Sequence, residues 1–330
     1  MKASREFTIY LALLVLVALL PLFGAYPVFV MKVMCFALFA CAFNLLIGYT
    51  GLLSFGHAAF LGGAAYATGH VLKFWGWSTE VGLLVGILSG AALGLIMGAL
   101  AIRRSGIYFS MITLALAQML YFLFLQTPFT GGEDGLQSVP RGTLLGFINL
   151  ADDLTLYYVV LAIFIASFLL IYRTVHSPFG QVLKAIRENE ARATSLGYDV
   201  ARFKLLAFVL SAALAGLAGA TKTLVLGFAT LTDAHWSTSG LVILMVLVGG
   251  MGTMLGPILG AFIIVALENK VGDVGAFLGR TTGIEWFNGL GEAVTVVTGL
   301  IFVICVMAFR RGIVGELQEW WVRRRRQPVS

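Results

Sequence analysis

Long apolar runs alternate along this chain with short polar stretches. Runs fall near 8–26, 28–48, 52–72, 80–102, 107–126, 154–172, 203–226, 239–267 and 289–309. A helix needs about 20 apolar residues to cross a bilayer, whereas membrane β-strands alternate over about 10. The pattern therefore predicts an all-α fold, a polytopic transmembrane helical bundle of about 9–10 membrane segments. The run before Tyr26 is longer than the apolar core of a signal peptide, and more spans follow at once. An uncleaved first span is expected there.

One segment breaks the apolar pattern with an amphipathic one. His176 to Lys204 reads HSPFGQVLKAIRENEARATSLGYDVARFK. Ser177 can cap a helix and Pro178 suits its first position. Phe179, Val182, Leu183 and Ile186 then recur at helical spacing on one face. Gly197 can stop the helix, and Asp199 can cap the next span. Such a stripe must be covered, either by lipid headgroups or by a groove on a soluble partner.

The run 239–267 is about nine residues longer than a bilayer requires. Its middle, VGGMGTMLGPILG, holds Gly249, Gly250, Gly252, Gly256 and Pro257, which weaken a helix. Two half-spans meeting near 249–257, in a broken or re-entrant segment, are expected. Irregular backbone at membrane depth persists only inside protein or along a cavity. Gly249, Gly250, Gly252 and Thr253 are thus candidates for a translocation path. The glycine-rich run Gly48 to Tyr66 is a second place for irregular backbone, and Asn44, Thr50, Ser54 and His57 lie in or near it. Polar residues within the membrane are functional candidates; a packed histidine is the alternative for His57. Gly82, Gly86, Gly90, Gly94 and Gly98 recur at every fourth position and predict a flat helix face for close packing.

Composition agrees with a membrane protein: 59% of residues are hydrophobic and 12% charged, against about 25% charged in soluble domains. The net charge of +6 comes from loops and one tail, so it does not point to nucleic acid. Lys2, Arg5, Arg103, Arg104, the basic residues of 173–204, Arg310, Arg311 and Arg323 to Arg326 fall on one side, the cytoplasm by the positive-inside rule. That count requires the break, with Val271 to Asn288 outside and the tail inside. The domain layout is a membrane domain over 1–310 with its cytoplasmic loop at 173–204, then a basic tail over 311–330. Trp320 and Trp321 suggest an interfacial anchor. Cys35, Cys41 and Cys305 lie in apolar runs with no metal or disulfide spacing.

Several ordered blocks carry a resemblance: GYTGLLSFGHAAF, SGIYFSMITLALAQML, SPFGQVLKAIRENEARATSLGYDVARFK, VGGMGTMLGP and RGIVG. Together they resemble the M-type permease of branched-chain amino acid ABC importers. The loop resembles that superfamily's EAA segment, with Glu190 and Ala191 ahead of Gly197, although no Leu-Pro follows. The resemblance implies coupling to an ATPase through Phe179, Val182, Leu183, Ile186, Glu190 and Gly197. It also implies a heterodimer with a related permease, two cytoplasmic ATP-binding subunits and an extracytoplasmic substrate-binding protein, in a bacterial inner membrane. Leucine, isoleucine and valine are the implied substrates. The outer loop Thr130 to Gly142 becomes a candidate contact for the binding protein.

No cofactor, metal site or catalytic set is expected. GLAGATKT (Gly216 to Thr223) lacks the glycine that a P-loop needs before its lysine. Lys222, near the end of an apolar run, is expected to snorkel toward water. Rival readings are a urea or short-amide permease sharing these blocks, an ion-coupled secondary transporter, which calls for intramembrane carboxylates, and a membrane scaffold.

Overall fold

The computed structural model describes residues 12–24, 26–282 and 312–317, with residues 296, 297, 299, 300, 303, 304 and 307 between them. Side chains of 272–282 are not described. Lys2, Arg5, Glu292, Cys305, Arg310, Arg311, Trp320, Trp321 and Arg323 to Arg326 lie outside the described residues, and so do their expected roles.

The helices follow the apolar runs closely. After a helical stretch ending in a tight turn at Leu20–Phe23 come α1 (Pro27–Thr50), α2 (His57–Lys73), α3 (Thr79–Ala101) and α4 (Ile107–Gln126). A structured outer loop holds the two-residue hairpin strands β1 (Thr143–Leu144) and β2 (Ile148–Asn149). Then follow α5 (Asp153–His176), the loop helices α6 (Pro178–Glu188) and α7 (Glu190–Ser195), and α8 (Val200–Leu226). The last two are α9 (Trp236–Gly249) and α10 (Gly256–Thr282). Five of these helices, α1, α3, α4, α5 and α8, are long and apolar enough to cross a membrane.

The bundle is built around α1. Its most apolar stretch is 89% buried within the chain, against 22% for α4. A helix that is apolar on every side can be covered on every side. Around it pack α8, α5, α10 and α9. The glycine stripe of α3 lies mostly on α8. A Cβ on Gly90 would stand 2.6 Å from the Ala212 carbonyl oxygen, and one on Gly86 2.5 Å from the Ala220 Cβ. Small residues on both helices let the two backbones approach, as the spacing predicts.

The termini of the elements are set by local chemistry. Asp152 caps α5, its carboxylate accepting from the Thr155 N–H and hydroxyl, which holds its pKa below the usual value. Ser177 caps α6 and Asp199 caps α8, as expected. The polar loop is two helices rather than one. Asn189 is extended at φ −158°, and its side chain caps α7 by accepting from the Arg192 N–H. A short polar side chain that bonds forward to the backbone competes with continued helix.

The outer loop is anchored rather than loose. Leu136 and Ala229 exchange backbone hydrogen bonds of 2.9 Å, and Val139 donates to Gly227. Arg141 pairs with Asp153 at 2.6 Å and donates to the Val225 carbonyl. Glu133 and Asp134 remain exposed on its surface.

Candidate functional site

The break in the last apolar run is present, with Gly250 to Leu255 outside any helix. Gly250 has φ +126° and Gly252 φ +78°, conformations that side chains rarely tolerate. At 14 residues, α9 is about 21 Å long, short of the roughly 30 Å hydrocarbon core. α10 folds back along α9: a Cβ on Gly249 would strike the Gly256 carbonyl, and one on Gly260 the Met245 carbonyl.

Contacts with α1 fix the place of this break. It lies against the C-terminal half of α1, between Asn44 and Gly48, next to the polar loop 176–204. Asn44 fixes it there. The Asn44 side chain accepts from the Gly252 N–H at 2.9 Å and donates to the Thr253 carbonyl at 2.9 Å. The Tyr49 hydroxyl reaches the Met254 sulfur at 3.2 Å. Thr253 closes the turn, donating to the Gly250 carbonyl at 2.7 Å and accepting from the Gly256 N–H at 3.0 Å. Gly312 rests against Gly250, so the described start of the tail shares this level. α10 then runs away from the loop side along α9.

Irregular backbone occurs in two further stretches. One is Gly51 to Gly56, where Ser110 donates to the Leu53 carbonyl at 2.6 Å and Thr113 accepts from the Phe55 N–H at 3.2 Å. The second is Gly227 to His235, which dips from the C-terminal end of α8 until Ala234 touches Gly62 of α2. α9 starts from there, with Ser239 accepting from the Ala58 N–H at 2.9 Å. Protein covers most of both stretches, with Gly51 and Thr232 exposed.

Among the other path candidates, His57 is fully buried. Phe43, Phe60 and Phe208 meet its ring edge-on. Ser211 gives its one proton to the Ala42 carbonyl at 2.6 Å, so Nε2 of His57 donates to Ser211 Oγ at 2.8 Å. The ring is packed on three sides, and its Nδ1 has no hydrogen-bond partner among the described residues. Thr50 is buried and bonds back to the Leu46 carbonyl of its own helix, and Ser54, also buried, accepts from the Gly56 N–H.

The loop stripe is largely covered within this chain. Leu183 and Ile186 are 0% and 3% exposed, buried by this chain itself. α6 packs on α1, α5 and α8, and Ile186 clusters with Ala193 and Val200. Val182 and Phe179 are half-buried, with Phe179 stacked on Phe203. Glu190 pairs with Lys204 at 2.7 Å, and Gly197 turns at φ +87° on the surface. Amphipathicity says that a face is covered, never by what. The exposed apolar groups of the loop are Leu196 and Tyr198, at 69% and 40%; periodicity missed them because they stand in the turn after α7.

Arg187 is a third missed residue. It leaves α6 and its guanidinium donates to the Gly48 carbonyl at the end of α1. Lys184 lies 5.8 Å from the Tyr49 ring centroid. The loop, the end of α1 and the break thus form one polar junction.

A second charged group sits at the C-terminal end of α8. Lys222 does not snorkel: it forms a buried ion pair with Asp233, both side chains 8% exposed, and lies 5.8 Å from the Phe36 ring. Glu268 of α10 stands within electrostatic reach of Lys32 and Lys222. The sequence reading passed over Lys32 and Glu268 and so undercounted charge within the membrane.

Comparison with known proteins matches residues 28–309 to the family described as branched-chain amino acid transport system, permease component. The chain is 30% identical over 291 residues to the high-affinity branched-chain amino acid transport system permease protein LivM of Escherichia coli K12, covering 79% of this chain and 68% of that one. It is 29% identical, with the same coverage, to LivM of Salmonella typhimurium LT2. It is also 31% identical over 199 residues to the autoinducer 2 import system permease protein LsrC of Klebsiella pneumoniae, covering 56% of this chain and 52% of that one.

Proposed function

Because this chain belongs to the branched-chain amino acid transport permease family, we propose that it forms, with a related permease, the membrane pathway for leucine, isoleucine and valine. It is a multi-pass membrane transport subunit without a catalytic centre of its own. Two cytoplasmic ATP-binding subunits supply the energy, an extracytoplasmic binding protein delivers substrate, and the assembly sits in a bacterial inner membrane. The polar junction carries this reading. A solvent-facing loop stands directly on the end of the most buried helix and on a glycine break, so force applied to the loop reaches the membrane core. The ATPase contact falls on the outward side of the loop, around Leu196, Gly197 and Tyr198. Phe179, Val182, Leu183 and Ile186 hold the loop on its base. Asn44, Gly249, Gly250, Gly252 and Thr253 act as the hinge of the pathway more than as its lining.

Asp233 does not favour ion coupling, since it is already paired with Lys222. The similarity to an autoinducer 2 permease leaves substrate to be decided by competition. The test is uptake of radiolabelled leucine by the complex in liposomes, with urea, isoleucine and valine as competitors. Uptake that needs internal ATP and is blocked by isoleucine and valine supports the reading. Uptake driven by an ion gradient without ATP overturns it, and competition by urea alone moves the substrate to short amides.

A further inference from the structure

We infer that Arg187 is a positioning residue that pins the cytoplasmic loop to the end of α1 and thereby sets the conformation of the Gly250 to Leu255 break. The inference rests on the permease reading for its consequence in transport, and on geometry alone for the pin.

The last four carbonyls of a helix have no partner within it, and the helix dipole makes that end negative. In α1 these belong to Ile47, Gly48, Tyr49 and Thr50. The Gly48 carbonyl takes a hydrogen bond from Arg187, a permanently charged fork with five donors. The groove it crosses is made by glycines. A Cβ on Gly51 would lie 3.3 Å from Arg187 Cγ, and one on Gly252 would lie 3.2 Å from its Nη1. A Cβ on Gly48 would come 2.8 Å from the Gly252 nitrogen. The arginine therefore touches α1 and the break together, where Asn44 joins the same two elements by its pair of 2.9 Å bonds.

A pin of this kind has a mechanical consequence. α6 is held at its base by Leu183 and Ile186, so the loop moves as one piece. If a partner tilts that piece, the guanidinium carries the displacement to Gly48 and to the left-handed backbone at Gly252. Glycine at positive φ is the residue type able to change conformation there without a steric penalty. Lys184 against Tyr49, and Tyr49 against Met254, make a parallel but weaker line across the same three elements.

The test uses Arg187→Gln and Arg187→Lys in the reconstituted complex, with two readouts. The first is ATP hydrolysed per leucine transported. Arg187→Gln should raise that ratio by about tenfold or more, the scale of one charge-assisted hydrogen bond, while the ATPases stay bound. Arg187→Lys keeps the charge and should fall between Arg187→Gln and wild type. A merely destabilised protein would lose hydrolysis and uptake together and leave the ratio alone. The second readout is amide hydrogen exchange of residues 250–254 in the purified chain, which should quicken in Arg187→Gln. An unchanged ratio in an intact complex overturns the inference, as does unchanged exchange. Detachment of the ATPases with unchanged exchange also overturns it, because Arg187 would then belong to the docking surface. If the wild-type complex takes up no leucine, the functional reading fails by itself and exchange alone decides the pin.

Discussion

In α3, Gly86, Gly90 and Gly94 keep helical backbone and lie against α8 so closely that a Cβ would strike it. Between α9 and α10, Gly250 and Gly252 take positive φ and leave the helix altogether. The same residue type thus serves a fixed interface in one region and a bend in the other. The difference lies in the surroundings. On α3 the glycines recur every fourth residue and face the small residues Ala212, Gly216 and Ala220. At the break they cluster within a few positions, and polar groups from α1 replace the lost helical bonds: Asn44 meets Gly252 and Thr253. The C-terminal end of α8 is tied separately, by the buried pair of Lys222 with Asp233. A buried ion pair thus holds that end, while hydrogen bonds to a bent backbone hold the break.

The comparison breaks first at Gly90. Gly90→Leu should prevent assembly of the bundle, seen as loss of monodisperse protein in detergent. Even Gly90→Ala should cost about 1–3 kcal/mol by overpacking. Gly240 of α9 has nothing within 4 Å of its Cβ position. Gly240→Ala should therefore be neutral or stabilising by up to about 1 kcal/mol from helix propensity. Equal melting temperatures for these two alanine variants would show that the α3 stripe is not a packing surface.

The ion pair gives the next largest effect. Lys222→Met strands a buried carboxylate and should cost about 3–5 kcal/mol, whereas Lys222→Met with Asp233→Asn should recover much of it. Thermal unfolding in detergent reads both. Additive losses would mean that the pair does not lock the C-terminal end of α8.

Asn44→Leu should cost less in stability than Lys222→Met. It removes two hydrogen bonds, each worth about 0.5–1.5 kcal/mol, and leaves the Gly252 N–H and Thr253 carbonyl without that partner. Yet its effect on uptake should exceed that of Gly90→Ala, because it acts on the bend. Leucine uptake normalised to protein in the membrane checks this, and normal uptake would move the hinge away from Asn44.

Much of this architecture is legible in the sequence because bilayer physics is one-dimensional. A span needs about 20 apolar residues and glycine with proline interrupts it, so helix ends and the break near 249–257 can be read directly. Ser177 and Asp199 are legible for a similar reason, since a cap acts on backbone two or three residues away. The glycine period on α3 carries its own geometry. Tertiary structure alone decided which surface covers each face and which charges meet. The stripe of Leu183 and Ile186 reads the same whether its cover is lipid, a partner or the chain itself, and here the chain covers it. Lys222 and Asp233 stand on opposite sides of a turn, and only the dip of Gly227 to His235 into the bundle brings them together. The place of the break and the reach of Arg187 depend on contacts between residues more than 130 positions apart, Gly48 with Arg187 and Asn44 with Gly252. No local pattern encodes such distances, because each follows from how whole helices pack.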